Sequence, residues 1–189
     1  MATGKLIIFS APSGSGKTTI VKELLKIFPQ FEFSISATSR APRGQEQNGV
    51  DYFFLTQEEF RAKVEADEFV EWEEVYNGTC YGTLKSEMER IWSKGNVIIF
   101  DVDVMGGINL KRIFGDNARS IFIMPPSVEV LRERLIGRGT DSAETIEKRV
   151  AKAEFEISKS EQFDCVVVND ILADAVAQTK TIIEEFLAE

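Results

Sequence analysis

The 189-residue chain contains no histidine. That one absence excludes His-based nucleophile triads, His-ligated zinc and imidazole acid–base chemistry. Cysteine is scarce as well. Cys80 and Cys165 stand far apart, fit no metal spacing or redox motif, and read as small buried apolar residues in a reducing, cytoplasmic setting. No apolar run approaches the length of a membrane span. Only Leu6-Ile7-Ile8-Phe9 separate Lys5 from a polar, glycine-rich stretch, so no signal peptide is expected. Basic residues are the minority, 22 against 31 acidic, and the formal net charge is −9. Bulk charge therefore argues against nucleic acid or an anionic membrane as a partner, and any anion site must be a local basic cluster. Internal repeats, low-complexity tracts and long linkers are also missing.

What is present is enough for a sizeable core: 43% hydrophobic residues, 14 of them Phe. The length suits one domain with an insertion. The most informative stretch is Ala11-Pro12-Ser13-Gly14-Ser15-Gly16-Lys17-Thr18. It follows a short apolar strand, about residues 5–10, and opens a helix of about 17–28 that stops before Pro29. Strand, glycine-rich turn and helix are the context of a phosphate-binding P-loop. Gly14 and Gly16 let backbone N–H groups turn inward, and the helix start offers its unpaired N–H groups and positive dipole end to an anion. Lys17 is placed to reach the β- and γ-phosphates of a nucleotide, and the Thr18 hydroxyl to hold Mg²⁺. Position 11 is Ala where the general pattern opens with Gly, so its backbone must tolerate a Cβ.

Further along, Phe31-Glu32-Phe33-Ser34-Ile35-Ser36 alternates like a strand. Residues 37–54 are polar and irregular. A short helix is expected near 57–65, a strand over 68–73, a turn at Asn77-Gly78, and a helix over 84–94 entered through Tyr81-Gly82-Thr83. Residues 36–86 read as a small inserted lobe. Asn96-Val97-Ile98-Ile99-Phe100 is a continuous apolar strand ending at Asp101-Val102-Asp103. A helix near 105–114, a strand at 118–123 and a helix from Val128 to about Leu135 follow. Asp141, with Glu144 three residues on, resembles a helix cap. The next helix puts Ile146, Val150, Ala153 and Ile157 on one side, Val166-Val167-Val168 is the last strand, and the final helix is core-packed. Solid apolar strands alternating with helices imply an α/β fold: a parallel sheet covered on both faces, with ligands at the carboxyl ends of the strands. The P-loop, Asp101 and Asp103 all fall at such ends.

Other residue groups are weaker signals taken singly. Asp101 suits a carboxylate that orients Mg²⁺ beside the P-loop threonine, or a strand-end cap. Asp103 fits either the acceptor site or the start of the next helix. Arg40 and Arg43, around Pro42, offer forks for phosphate oxygens but read equally as a solvated turn. Arg134, Arg138 and Arg149 bracket Gly137-Arg138-Gly139-Thr140 and suit closure over bridging phosphates, or ordinary helix-surface charge. Glu71 on its own is an exposed strand acid. The missing histidine links these groups. Transfer to an alcohol or water benefits from a base, whereas a phosphate monoester has a second pKa of about 6 and is already anionic. A P-loop, many arginines and no imidazole suit phosphate-to-phosphate transfer by electrostatic clamping.

Several motifs together resemble the guanylate kinase family over nearly the whole chain. They are Ser13-Gly14-Ser15-Gly16-Lys17-Thr18, Ser36-Ala37-Thr38-Ser39-Arg40-Ala41-Pro42-Arg43, Gly49-Val50-Asp51-Tyr52-Phe53-Phe54, Glu68-Phe69-Val70-Glu71-Trp72, Tyr81-Gly82-Thr83 and Gly137-Arg138-Gly139-Thr140. Ala11 departs from the family's frequent Gly, and Thr83 stands where many members have Ser, keeping the hydroxyl. The resemblance implies a P-loop kinase fold with a core at 1–35 and 87–189, a GMP-binding lobe at 36–86 and a lid at about 137–143. It implies ATP and GMP as substrates, with dGMP a companion acceptor, and Mg²⁺ as cofactor, held by Thr18 and Asp101. Residues 11–18, Arg134 and Asn169 would bind ATP, with Asn169 near the adenine. Arg40, Arg43, Tyr52 and Tyr81 would hold the GMP phosphate. Ser36, Glu71 and Thr83 would read guanine, with Asp103 nearby. Lys17, Arg138 and Arg149 would stabilise the transferring group. Two other readings stay open: an inactive guanylate-kinase-like protein-interaction module, and a kinase for another nucleoside monophosphate. Monomer and homo-oligomer are equally compatible with the sequence.

Overall fold

A computed structural model describes residues 4–76, 78–137, 139 and 142–189. Asn77 of the expected turn, Arg138 and Thr140 of the glycine-flanked loop, and Asp141 of the expected helix cap lie outside the described residues. The chain divides into two compact units, Glu32–Ile98 and Lys5–Phe31 with Ile99–Glu189.

The larger unit is built on β1 (Leu6–Ser10), β8 (Ala118–Met124) and β9 (Cys165–Val168), in which β1 pairs parallel with β8 and β8 with β9. With β2 (Phe31–Phe33) and β7 (Val97–Asp101), the sheet order is β2-β7-β1-β8-β9. Every residue of β1 is buried. Successive side chains of a strand point to opposite faces, so β1 is covered on both. The covering helices include α4 (Val104–Phe114), packed on β1 and β8, and α7 (Leu172–Ala188), packed on β9 and on α1 (Lys17–Ile27). α5 (Val128–Gly137) and α6 (Ala143–Ile157) form a helix pair around Leu131, Leu135, Ile146, Val150 and Ala153. Burying one such aliphatic side chain contributes about 1.5–3 kcal/mol. The expected stripe of α6 splits: Ile157 leaves that cluster and packs against Val104, Phe122 and Phe163. The cap of α6 is Ser142, whose hydroxyl accepts from the Thr145 N–H at 3.3 Å.

The smaller unit carries a second sheet, β4-β3-β6-β5, made of β3 (Ala37–Thr38), β4 (Phe53–Phe54), β5 (Phe69–Tyr76) and β6 (Thr79–Leu84). β3 runs parallel to β4 and antiparallel to β6, and β5 is antiparallel to β6. The region read as irregular thus supplies two short strands. Tyr81-Gly82-Thr83, read as the approach to a helix, is the middle of β6. The helix itself, α3, spans Lys85–Trp92. α2 (Gln57–Glu65) starts with a capping box between Thr56 and Glu59. Ala37, Phe60, Phe69 and Leu84 form the local core, with the Phe60 and Phe69 rings stacked at 4.5 Å between centroids. Both cysteines are half-buried free thiols rather than fully buried ones. Burial pushes the Cys165 thiol pKa up.

Candidate active site

In the larger unit the turn after β1 wraps a cavity of about 500 Å³ lined by residues 11–19, Asp101, Val102, Asp103, Arg149, Lys152 and Glu156. The Ser15 N–H closes the turn on the Pro12 carbonyl at 3.2 Å. Gly16 has φ +90, a left-handed conformation that glycine adopts freely. No side chain caps α1, so its first N–H groups are left for an anion. Asp67 is the sole non-glycine residue with positive φ among the described residues. Ala11 therefore sits in a backbone conformation open to any L-residue, and its Cβ is no obstacle to the loop.

Lys17 opens the helix with its ammonium paired to Asp101 at the end of β7, and it donates to the Val102 carbonyl at 3.1 Å. Asp103 is the helix start, not merely near it. Its Oδ1 accepts from the Gly106 N–H at 2.8 Å, and its carbonyl accepts from the Ser10 hydroxyl at 3.1 Å. Arg149, on α6, donates to the Ser13 hydroxyl at 2.8 Å. Arg134, on α5, donates to the Asn169 carbonyl at 2.9 Å, while the Asn169 side-chain amide donates to the Ser15 carbonyl at 2.7 Å. These residues also border a second cavity with Gly14, Gly16 and Thr19. Arg138 lies outside the described residues.

Oxygen donors in the first cavity suit a hard cation. The Thr18 hydroxyl and the Asp101 carboxylate both line it. Among the described residues no three acidic or thiol side chains gather into a cage of their own. One or two protein oxygens completed by substrate phosphates is the manner in which Mg²⁺ is usually held.

The smaller unit assembles a different cluster. Both oxygens of Glu46 meet the Arg40 guanidinium, at 2.6 and 2.8 Å, and one of them also accepts from the Arg43 N–H at 2.8 Å. The Arg40 Nε donates to the Tyr81 hydroxyl at 3.0 Å. The guanidinium carbon lies 4.9 Å from the Tyr52 ring centroid, and the Tyr52 and Tyr81 rings meet edge-on at 5.9 Å. Arg40, Tyr52 and Tyr81 are thus brought together, with Arg43 tied in through its backbone and its side chain exposed. Arg40, and secondarily the Arg43 N–H, hold the Glu46 carboxyl down at about 2. The same pairing with Glu46 raises the Arg40 pKa.

Nearby in the same unit, Glu71 on β5 is the cross-strand partner of Thr83 on β6, whose hydroxyl donates to Glu71 Oε1 at 2.8 Å. Ser36 immediately precedes Ala37, the register partner of Gly82. A Cβ at Gly82 would lie 2.7 Å from both the Glu71 carbonyl and the Trp72 Cβ. Glycine is therefore required for β5 and β6 to approach closely enough to pair Glu71 with Thr83.

Three residues at these sites escaped the sequence reading. Glu46 is an acid in a polar loop, a pattern shared with any solvated turn; its one signal is its position three residues after Arg43. Lys152 and Glu156 follow Arg149 at three and seven residues, one face of α6, and that spacing was a usable signal. Glu156 is buried, and this burial pushes its pKa up against the opposing effect of Lys152.

The family model described as Guanylate kinase matches residues 3–186. A guanylate kinase of Bacteroides thetaiotaomicron is 58% identical over 185 residues, which cover 98% of this chain and 91% of the relative. One from Porphyromonas gingivalis is 56% identical over 186 residues, covering 98% and 99%. The crystal structure of guanylate kinase from Anaplasma phagocytophilum superimposes with a TM-score of 0.71 at 30% identity, over 98% of this chain and 87% of that one.

Proposed function

The chain belongs to the guanylate kinase family and is an ATP:GMP phosphotransferase, and on that premise we propose which of its residues carry the reaction. The observation that supports the assignment best is the intact cradle: Lys17 and Arg149 line one cavity with residues 11–18. An interaction module has no need of that arrangement.

Residues 11–18 bind the ATP phosphates through backbone N–H groups, and Arg134 and Asn169 complete the ATP site. Arg40, Arg43, Tyr52 and Tyr81 hold the phosphate of GMP. Residues 36–86 form the GMP lobe, and residues 1–35 and 87–189 the core. A GMP phosphate oxygen attacks the γ-phosphorus. The bond from that phosphorus to the β–γ bridging oxygen breaks, giving GDP and ADP. The attacking oxygen is already anionic near neutral pH, so no general base is required. Lys17 and Arg149 neutralise charge that develops on the transferring group and the leaving oxygen. Lys17 is held in readiness by Asp101 and the Val102 carbonyl. Thr18 and Asp101 are the residues that would hold Mg²⁺, which when bound would offset phosphate charge.

Guanine presents two adjacent donors, N1–H and the 2-amino group, that one carboxylate accepts together. Glu71 is that carboxylate, steadied by the Thr83 hydroxyl that donates to it, with the Ser36 hydroxyl available to O6. Asp103, its Oδ1 committed to the cap of α4, is the further GMP-binding residue that the family resemblance implies. Adenine carries an acceptor at N1 and no 2-amino donor, so it leaves Glu71 unpaired and is rejected.

Coupled ADP release measured with GMP, AMP, UMP and dTMP tests the reading. GMP is expected to support turnover, and the others little. Equal turnover with AMP would overturn the guanine assignment. No ADP release with any acceptor would favour the interaction module.

A further inference from the structure

We propose that Asn169 and Arg134 are positioning residues for the phosphate cradle, acting by gripping the carbonyl of Ser15 from behind the loop. The inference rests on the reading of residues 11–18 as the site of the ATP phosphates.

Asn169 is buried, and its side-chain amide donates to the Ser15 carbonyl at 2.7 Å. The Asn169 backbone N–H donates to the Met124 carbonyl at 2.8 Å, which fixes the residue to the end of β8. Arg134 reaches the same place from α5, donating to the Asn169 carbonyl at 2.9 Å and approaching the Ser15 carbonyl at 3.5 Å. A side chain needed only to touch a base has no reason to be buried against the loop.

The consequence follows from the planarity of the peptide unit. In a trans peptide the C=O and the next N–H point in opposite directions, and no cis peptide occurs among the described residues. Holding the Ser15 carbonyl toward Asn169 therefore holds the Gly16 N–H away from it, toward the phosphate cavity that Gly16 also lines. Gly16 itself permits the grip. A Cβ there would lie 2.2 Å from the Asn169 amide nitrogen. Glycine at position 16 thus serves two ends, a left-handed turn and room for the clamp. Preorganised N–H groups need no reordering when the anion arrives, and this lowers the cost of binding.

The test compares ATP with inorganic tripolyphosphate, which has the phosphates but no base. Competition and direct binding are measured with the wild-type chain, Asn169→Ala and Arg134→Met. GMP affinity serves as the fold control. Asn169→Ala is expected to weaken ATP and tripolyphosphate by the same factor, about tenfold for one lost hydrogen bond, with GMP affinity kept. Arg134→Met is expected to do the same to a smaller extent. A loss confined to ATP would make Asn169 a reader of adenine and overturn the proposal. Unchanged affinity for both ligands in both variants, or a tripolyphosphate loss matched by an equal loss of GMP affinity, would overturn it as well. A wild-type chain in which tripolyphosphate fails to compete with ATP would instead sink the cradle reading, and the clamp with it.

Discussion

Glu46 holds Arg40 by both carboxylate oxygens while also accepting the Arg43 N–H. A carboxylate tied to the backbone at Arg43 is anchored independently of the guanidinium it grips. On the proposed reading of Arg40 as a ligand of the GMP phosphate, Glu46 aims it rather than merely filling the space a phosphate would take. Glu46→Ala is expected to raise KM for GMP by roughly ten- to a hundredfold, the range for a charge-assisted hydrogen bond, with kcat largely kept. Steady-state kinetics at varied GMP check this. A fall in KM would show that Glu46 competes with the substrate phosphate instead.

Glu71 and Thr83 face each other across β5 and β6, and the pair makes a prediction about selectivity. Glu71→Gln keeps the shape but replaces one acceptor oxygen with a donor nitrogen and removes the charge. The preference for GMP over AMP is expected to fall by roughly a hundredfold, the scale of one charge-assisted hydrogen bond. The ratio of kcat/KM for the two acceptors measures it. Selectivity equal to that of the parent would remove Glu71 from base recognition.

Gly82 sets the geometry that the previous prediction depends on. Its ideal Cβ would come within 3 Å of the Glu71 carbonyl, the Trp72 Cβ and the Phe69 ring, two of them belonging to groups with little freedom to retreat. Gly82→Ala is expected to cost about 1–3 kcal/mol, as overpacking does, and to raise KM for GMP by shifting β6 against β5. Denaturant unfolding and kinetics on the same preparation test both parts. Unchanged stability would mean that the two strands separate easily.

These three positions also show what the sequence does and does not reveal. The buried strand β1 and the turn after it were legible because a solid apolar run, two glycines and a lysine constrain one another over a few residues. Glu71 and Thr83 were singled out as residue types by the family resemblance. Their cross-strand register was not legible, because Tyr81-Gly82-Thr83 reads as the approach to a helix. The close approach that demands glycine is a property of the neighbouring strand. Glu46 was invisible for a related reason: its value lies in a bidentate contact with a residue six positions away in an irregular loop. Asp103 offered two roles in the sequence, and the cap it gives α4 through Oδ1 is the one that spacing alone did not fix. Sequence periodicity reports which face is buried, and it carries little about who meets whom across a turn.

On the proposed reading, Lys17 is the position at which charge development is met. Its ammonium is paired with Asp101 and bonded to the Val102 carbonyl. Lys17→Ala is expected to lower kcat by several orders of magnitude with the fold intact, because the interaction removed is strongest in the transition state. Single-turnover rates with thermal unfolding as a control check it. Turnover at the parental rate would take the cradle out of the mechanism.

Glu32 gives a prediction about pH that is independent of catalysis. Its carboxylate accepts from Lys94 at 2.9 and 3.1 Å, from Asn96 at 2.9 Å and from Arg90, tying β2 to the end of α3. Lys94 foremost, then Arg90 and Asn96, hold its pKa down from 4.5 to about 2. The unfolded chain therefore binds this proton more readily than the folded one. The contribution to stability is complete above about pH 4.5 and is lost as the pH falls through the window down to about 2. Because the pair is partly solvated, the contribution is on the order of 1 kcal/mol. Glu32→Gln is expected to be less stable than the parent at pH 7 and to converge on it as the pH falls toward 3, since glutamine has no proton to gain. Urea unfolding across that range at low ionic strength measures the gap. A gap that stays constant with pH would show that the loss comes from packing rather than from the carboxylate's charge.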